Sequence, residues 1–201
     1  MALKCVKNSL LGTLLASAAL ASIGHAQTSA PAQTIAKSNG VAAEDHRPEL
    51  GSLLPPHRLL GKTRLRVWGF QVYDARLWVT PGFKPEQFAS QNFALELSYL
   101  RDFTSADIVE RSLEEMRRSA TISDEQSKAW TAALLRVMPE VKKGDRITGV
   151  HKAGEGAVFL VNGQPGGEIK DPEFARLFFG IWLSPKTSEP DMRRELLAGA
   201  L

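Results

Sequence analysis

Between Asn92 and Leu100 the chain alternates side chains with a period of two: Phe93, Leu95, Leu97 and Tyr99 on one side, Ala94, Glu96 and Ser98 on the other. That pattern predicts a half-buried β-strand. Further strands are predicted over Arg64–Trp68, Gln71–Thr80, Arg146–His151 and Ala157–Val161, the last two joined by the glycine-rich KAGEG. Asn162-Gly163 after VFLV is a strong hairpin signal leading to a short strand at Glu168–Lys170.

Helices are marked by their caps. Thr104 opens TSADIVERSLEEMRRSA, in which Ile108, Ser112, Met116, Val109 and Leu113 form one stripe. Asp107 with Arg111, and Glu114 with Arg118, supply i, i+4 pairs on the opposite, solvated face, to which Glu110, Glu114 and Glu115 are also assigned. Ser123 and Gln126 form a capping box before Ala129, Trp130, Ala133, Leu134 and Val137. Asp171-Pro172 starts a helix through Phe174, Leu177, Phe178, Ile181 and Trp182, because proline at the first helical position loses no hydrogen bond. Ser188 and Pro190 open a last one with Met192, Leu196 and Leu197. Strands first, helices next and a return to strands predict an α+β domain over 49–201, not a parallel βαβ layout.

RLRVWGFQVYDARLWV, Arg64 to Val79, reads as a hairpin turning at Gly69-Phe70, with glycine first as a type II′ turn prefers. That register sets Trp68 opposite Gln71, Val67 opposite Val72 and Arg66 opposite Tyr73, with Arg64 diagonal to Tyr73 on the same face. One or two guanidinium groups then lie beside a phenol at the edge of an apolar surface. The competing assignment makes Arg64 and Arg66 solvated edge-strand charges.

The N-terminus changes what charge and cysteine mean. MALKCVKN, the apolar SLLGTLLASAALASIG and small residues before a cut after Ala26 have the layout of a secretory signal peptide over 1–26. The apolar run is shorter than the roughly 20 residues a spanning helix needs. Residues 27–48 are small, polar and aperiodic, a flexible leader. The whole chain has 25 basic and 22 acidic residues and pI about 9.1, but cleavage removes Lys4 and Lys7 and leaves a near-balanced 23 against 22. Cys5, the one cysteine, leaves with them. A cysteine-free, exported and periplasmic or secreted chain follows, without disulfides, thiol chemistry or stable membrane insertion.

Several chemistries are excluded. HRLLGKT ends like a phosphate-binding loop, but Pro56 stands where its first glycine belongs. There is no G-x-S-x-G elbow. His25, His46, His57 and His151 include no short-spaced metal-ligand pair, and the last two read as surface residues. Nucleic acid is an unsuitable partner for an exported chain of balanced charge whose Trp130 and Trp182 sit on core stripes.

In order along the chain, VYDARLW, VKKGDRITG, an Asn-Gly turn followed by D-x-x-F, and FFGIWLSP resemble the bacterial branch of the chalcone isomerase-like family, over about Leu60 to Leu197. The resemblance implies an open-faced β-sandwich: a large antiparallel sheet, a helical layer against it and a ligand cleft between them. It also implies chemistry without a cofactor. Plant members cyclise chalcones, using an arginine and a threonine on a hairpin, and a tyrosine, a lysine and an asparagine at the first long helix. Here the threonine position falls at Tyr73, the helix positions fall near Thr104, Asp107 and Arg111, and a later threonine or serine falls near Leu177 or Phe178. An arginine with a tyrosine is instead the pairing of the fatty-acid-binding branch. The resemblance thus favours a non-catalytic binder of an amphipathic small molecule, with Arg64, Arg66, Tyr73, Trp68, Tyr99 and Thr104 at the ligand. The alternatives are a cofactor-free isomerase or lyase of a phenolic or enone substrate, using Arg64, Arg66 and Tyr73, and an interaction or folding-support module with no ligand.

Overall fold

The computed structural model describes residues 47–200. The segment read as a signal peptide, 1–26, and nearly all of the segment read as a leader, 27–48, lie outside them. Arg47 and Pro48, assigned to the end of that leader, belong to the folded body: Arg47 is buried and Pro48 opens a 3-10 turn, Pro48–Leu50.

Six antiparallel strands form one meander in sequence order: β1 (Arg58–Val67), β2 (Phe70–Val79), β3 (Phe93–Tyr99), β4 (Arg146–Lys152), β5 (Gly156–Val161) and β6 (Gln164–Ile169). The sequence marks a strand for each of the six, but sets the last at Glu168–Lys170, which shares only Glu168 and Ile169 with β6. It started β1 six residues late, because RLLGKT alternates poorly: Leu60 is an extra residue where Leu59 pairs Trp78 and Gly61 pairs Leu77.

Helices α1 (Ser105–Met116), α2 (Asp124–Val137), α3 (Pro172–Leu183) and α4 (Pro190–Leu196) cover one face of the sheet. Thr104 and Asp107 close one capping box, Ser123 and Gln126 another. Each satisfies amide groups that a helix start leaves without partners. One Asp171 oxygen accepts from the amides of Glu173 and Phe174, and the other accepts Trp130 Nε1–H at 2.8 Å, tying α2 to the start of α3. Helix α4 has Glu189 at its N-cap position, without a side-chain bond there, one residue after the predicted Ser188. It lies so close to β1 that a Cβ at Gly61 would collide with the carbonyl oxygens of Leu196 and Glu195.

Between the layers, Phe93, Phe159, Phe174, Phe178 and Phe179 form edge-to-face and stacked pairs. His151 belongs to this core, which overturns its assignment to the surface. It is 1% exposed, stacks on Phe93 with centroids 4.8 Å apart, and donates from Nδ1 to the Gln91 carbonyl at 2.8 Å. The carbonyl only accepts, so Nδ1 carries the proton of the neutral ring.

The other face of the sheet is covered at its centre by the segment entering β1. Leu50 and Leu54 lie on Trp78, Ala94, Val150 and Leu160. Strand β3 is therefore buried on both faces, not half-buried as its alternation suggests. Glu96, fully buried, holds Arg47 through Nε and Nη2 at 2.5 and 2.7 Å, with Arg146 at 3.4 Å and Arg76 at 3.6 Å. Glu49 adds a 2.6 Å bond to Arg146.

Candidate functional site

Two local features of the β1–β2 hairpin decide which side chains meet. The turn is Trp68-Gly69, with φ of 50° and 82°, not Gly69-Phe70, so Val67 pairs Phe70 and Arg66 pairs Gln71. Positive φ at both central residues is the type I′ geometry, which follows the twist of the strands. A bulge follows at once: Leu65 pairs Tyr73, leaving Val72 extra on β2. Arg64 therefore faces Asp74, and the expected apposition of Arg66 with Tyr73 does not occur.

The two faces of the hairpin consequently do different work. On the uncovered side Arg64 forms a two-pronged ion pair with Asp74, at 2.5 and 2.8 Å, and bonds Gln71 at 2.9 Å. Both partners of that ion pair are partly exposed, so solvent and salt screen it and it adds little to stability. Arg64→Ala is accordingly expected to leave the urea-unfolding midpoint almost where the parent has it. Arg66 is exposed near the hairpin tip, and Trp68 is 73% exposed at the tip itself, away from any lining between the layers.

On the helix side Tyr73 lies beside Tyr99, its partner on β3, with ring centroids 6.1 Å apart; Phe103 flanks Tyr99 at 5.9 Å. The Tyr73 hydroxyl accepts Trp182 Nε1–H from α3 at 3.0 Å. Burial pushes both phenols well above the ordinary tyrosine range. For Tyr73 the Trp182 bond opposes that rise, and the charges of Glu189, Arg111 and Glu115 also act on the hydroxyl. Thr104 is apart from this group, its hydroxyl engaged by the Asp107 carboxylate at 2.6 Å.

The polar rim of this region is the part the sequence misassigned. Asp107 folds back into its capping box, so Arg111 bonds Glu115 at 2.7 Å and Glu114 at 3.4 Å instead. Glu115 is 7% exposed, not part of a solvated face. It accepts from Arg118 at 3.2 Å and from Ser188 Oγ at 2.8 Å, which links α1 to the loop before α4. The i, i+4 spacing of Arg111 and Glu115 was visible in the sequence, but Ser188 lies 73 residues away and gave no sign of the contact. Leu177 and Phe178, where the plant enzymes carry a threonine or serine, are core residues. Among the described residues no cluster of side chains suits a metal ion.

A six-stranded antiparallel meander with helices on one face, with buried Tyr99 and half-buried Tyr73 between the layers, defines an α+β open-faced sandwich. The chain belongs to the chalcone isomerase-like family, whose model matches residues 60–198. Among solved structures, the crystal structure of a fatty-acid binding protein of Arabidopsis thaliana has the same fold. The TM-score is 0.57 at 13% identity, covering 73% of this chain and 89% of that one. No curated protein matches the sequence.

Proposed function

We propose that this chain is an exported, non-catalytic binding protein that holds an amphipathic acid, of the fatty-acid class, between sheet and helices beside Tyr73. The observation that carries the proposal is the Tyr73 hydroxyl: a half-buried polar group, oriented by Trp182, among aromatic rings and within the influence of Arg111 at the rim. In this reading the headgroup takes the Tyr73 hydroxyl and shares Arg111 with Glu115, and the tail takes apolar side chains between the layers, the usual division of labour in a small-molecule site. The fatty-acid binding of the structural neighbour and the resemblance at the Tyr73 position support the same ligand class. Export rests on the N-terminal layout.

Binding suits this geometry better than an isomerase does. Phenols raised by burial supply no phenolate base near neutral pH, and neither Arg64 nor Arg66 stands opposite Tyr73 to stabilise an enolate. The ligand-free interaction module draws support from the internally paired arginines, Arg64 with Asp74 and Arg76 with Glu96.

Protein purified from its host, extracted and examined by mass spectrometry, is expected to release a long-chain acid and to start at Gln27. Titration of the delipidated protein with a fluorescent fatty acid is expected to saturate. Tyr73→Phe with Arg111→Ala removes one hydrogen bond to a charged group and one cation, weakening binding by about 10- to 100-fold. Absence of a bound acid together with absence of saturable binding would overturn the ligand reading.

A further inference from the structure

The molecule contains two turns of the same backbone geometry with different residues in them. The β5–β6 turn is Asn162-Gly163, with φ of 51° and 82°; the β1–β2 turn is Trp68-Gly69, with φ of 50° and 82°. Asparagine adopts positive φ readily, whereas for a bulky side chain it is a genuine outlier. Turn chemistry therefore accounts for Asn162 and not for Trp68. Nor does packing, since Trp68 is 73% exposed and a Cβ added at neighbouring Gly69 would meet nothing within 4 Å.

Trp68 is one of a group. Among the described residues the exposed large apolar side chains are Val67, Trp68, Phe70 and Leu135, so three of the four crowd one protruding tip. The Arg101 guanidinium sits 5.0 Å from the Phe70 ring centroid, and Arg66 is exposed beside Val67. Lys142 and Lys143 belong to the same end of the sheet, because the 142–144 loop bonds to the segment after β3 through the Lys143 amide to Asp102 and the Gly144 amide to the Tyr99 carbonyl.

We propose that this hairpin tip docks the protein on an anionic lipid surface, with Trp68 and Phe70 seated among the headgroups and Arg66, Arg101 and Lys143 facing them, while Lys142 stays paired with Asp102 at 3.5 Å. Tryptophan is favoured at that depth because its ring is apolar with one polar edge, and arginine stems follow the same boundary. Basic side chains next to an apolar tip complement the negative potential of anionic lipid. The contact is peripheral: no helix among the described residues is long and apolar enough to cross a membrane. Docking does not depend on the ligand assigned to the Tyr73 region.

The test uses protein purified from its host, every variant having the same N-terminus. It is mixed with vesicles of phosphatidylcholine alone or of equal parts phosphatidylcholine and phosphatidylglycerol. Binding is read by co-sedimentation and by quenching of tryptophan fluorescence with brominated lipid. Trp78, Trp130 and Trp182 are buried, so quenching reports Trp68. The expected result is preferential, salt-sensitive binding to the anionic vesicles with quenching. Trp68→Asn with Phe70→Thr creates an Asn-Gly turn and a strand-compatible neighbour, so the hairpin keeps or gains thermal stability while vesicle affinity falls by about tenfold or more. Arg66→Gln with Arg101→Gln is expected to reduce the preference for anionic vesicles. Docking is overturned if neither vesicle is bound, or if Trp68→Asn with Phe70→Thr binds as the parent does. A concentration-dependent dimer that the same variant abolishes, in place of vesicle binding, equally overturns it and makes the tip a protein interface.

Discussion

Glu96→Gln is expected to lower folding stability by about 3–5 kcal/mol, the cost of leaving a buried charge without its counter-ion. The carboxylate is fully buried on β3 and serves three guanidinium groups. Arg146 retains Glu49, but Glu96 is the one acidic partner of Arg76 among the described residues. Moreover, the buried Nε atoms of Arg76 and Arg146 make no hydrogen bond and rely on the charge of this carboxylate. Glutamine keeps the shape and one acceptor while removing that charge. The loss reads directly from the urea midpoint at pH 7 with an unchanged denaturant slope. Arg76→Met placed in the Glu96→Gln background is expected to recover part of the stability, since it removes the uncompensated cation and keeps an apolar stem. A single-variant loss below about 1 kcal/mol would mean that water reaches the guanidinium groups and the ion cluster behaves as a surface one.

The contrast between Glu96 and Arg64 shows what the sequence could and could not reveal. Strands, helices and caps were legible because each leaves a local mark: Phe93 to Tyr99 alternate, Thr104 and Ser123 stand three residues before their capping partners, and Asp171 precedes proline. The candidate site depended on register, which leaves no such mark. A turn displaced by a single residue would by itself have brought Arg64 opposite Tyr73. The extra Val72 then moved Tyr73 on to Leu65, and a slip of one residue exchanges the faces of a strand. With the bulge in place Tyr73 meets Trp182, 109 residues beyond it, a contact that leaves no local mark. Arg47 escaped for a similar reason. Its surroundings are small and polar, but its partner is at position 96.

Phe179→Ala is expected to cost about 3–5 kcal/mol, the range for truncating a buried aromatic ring. Phe179 is fully buried on α3 and meets Phe93, His151 and Phe178 edge-on at 5.0, 5.3 and 5.4 Å. The sheet has been shaped to receive it: a Cβ on Gly149 would lie 3.0 Å from two atoms of its ring. Gly149 thus lets β4 pass beneath the ring, and Gly149→Ala is expected to refill part of the space in the Phe179→Ala background although it overpacks the parent. The same ring seals His151, whose pKa burial lowers, while the bond to the Gln91 carbonyl opposes that fall. A histidine with a depressed folded-state pKa binds fewer protons folded than unfolded. Its contribution is therefore complete above the ordinary value of about 6.5 and is lost as pH falls from there toward the folded-state value. Opening the cavity beside His151 lets water reach the imidazole and lifts that depression. Phe179→Ala is therefore expected to be less stable at every pH and also to lose less further stability than the parent between pH 7.5 and 5.5. Equal pH slopes in the two proteins would show that Phe179 packs against His151 without controlling its hydration.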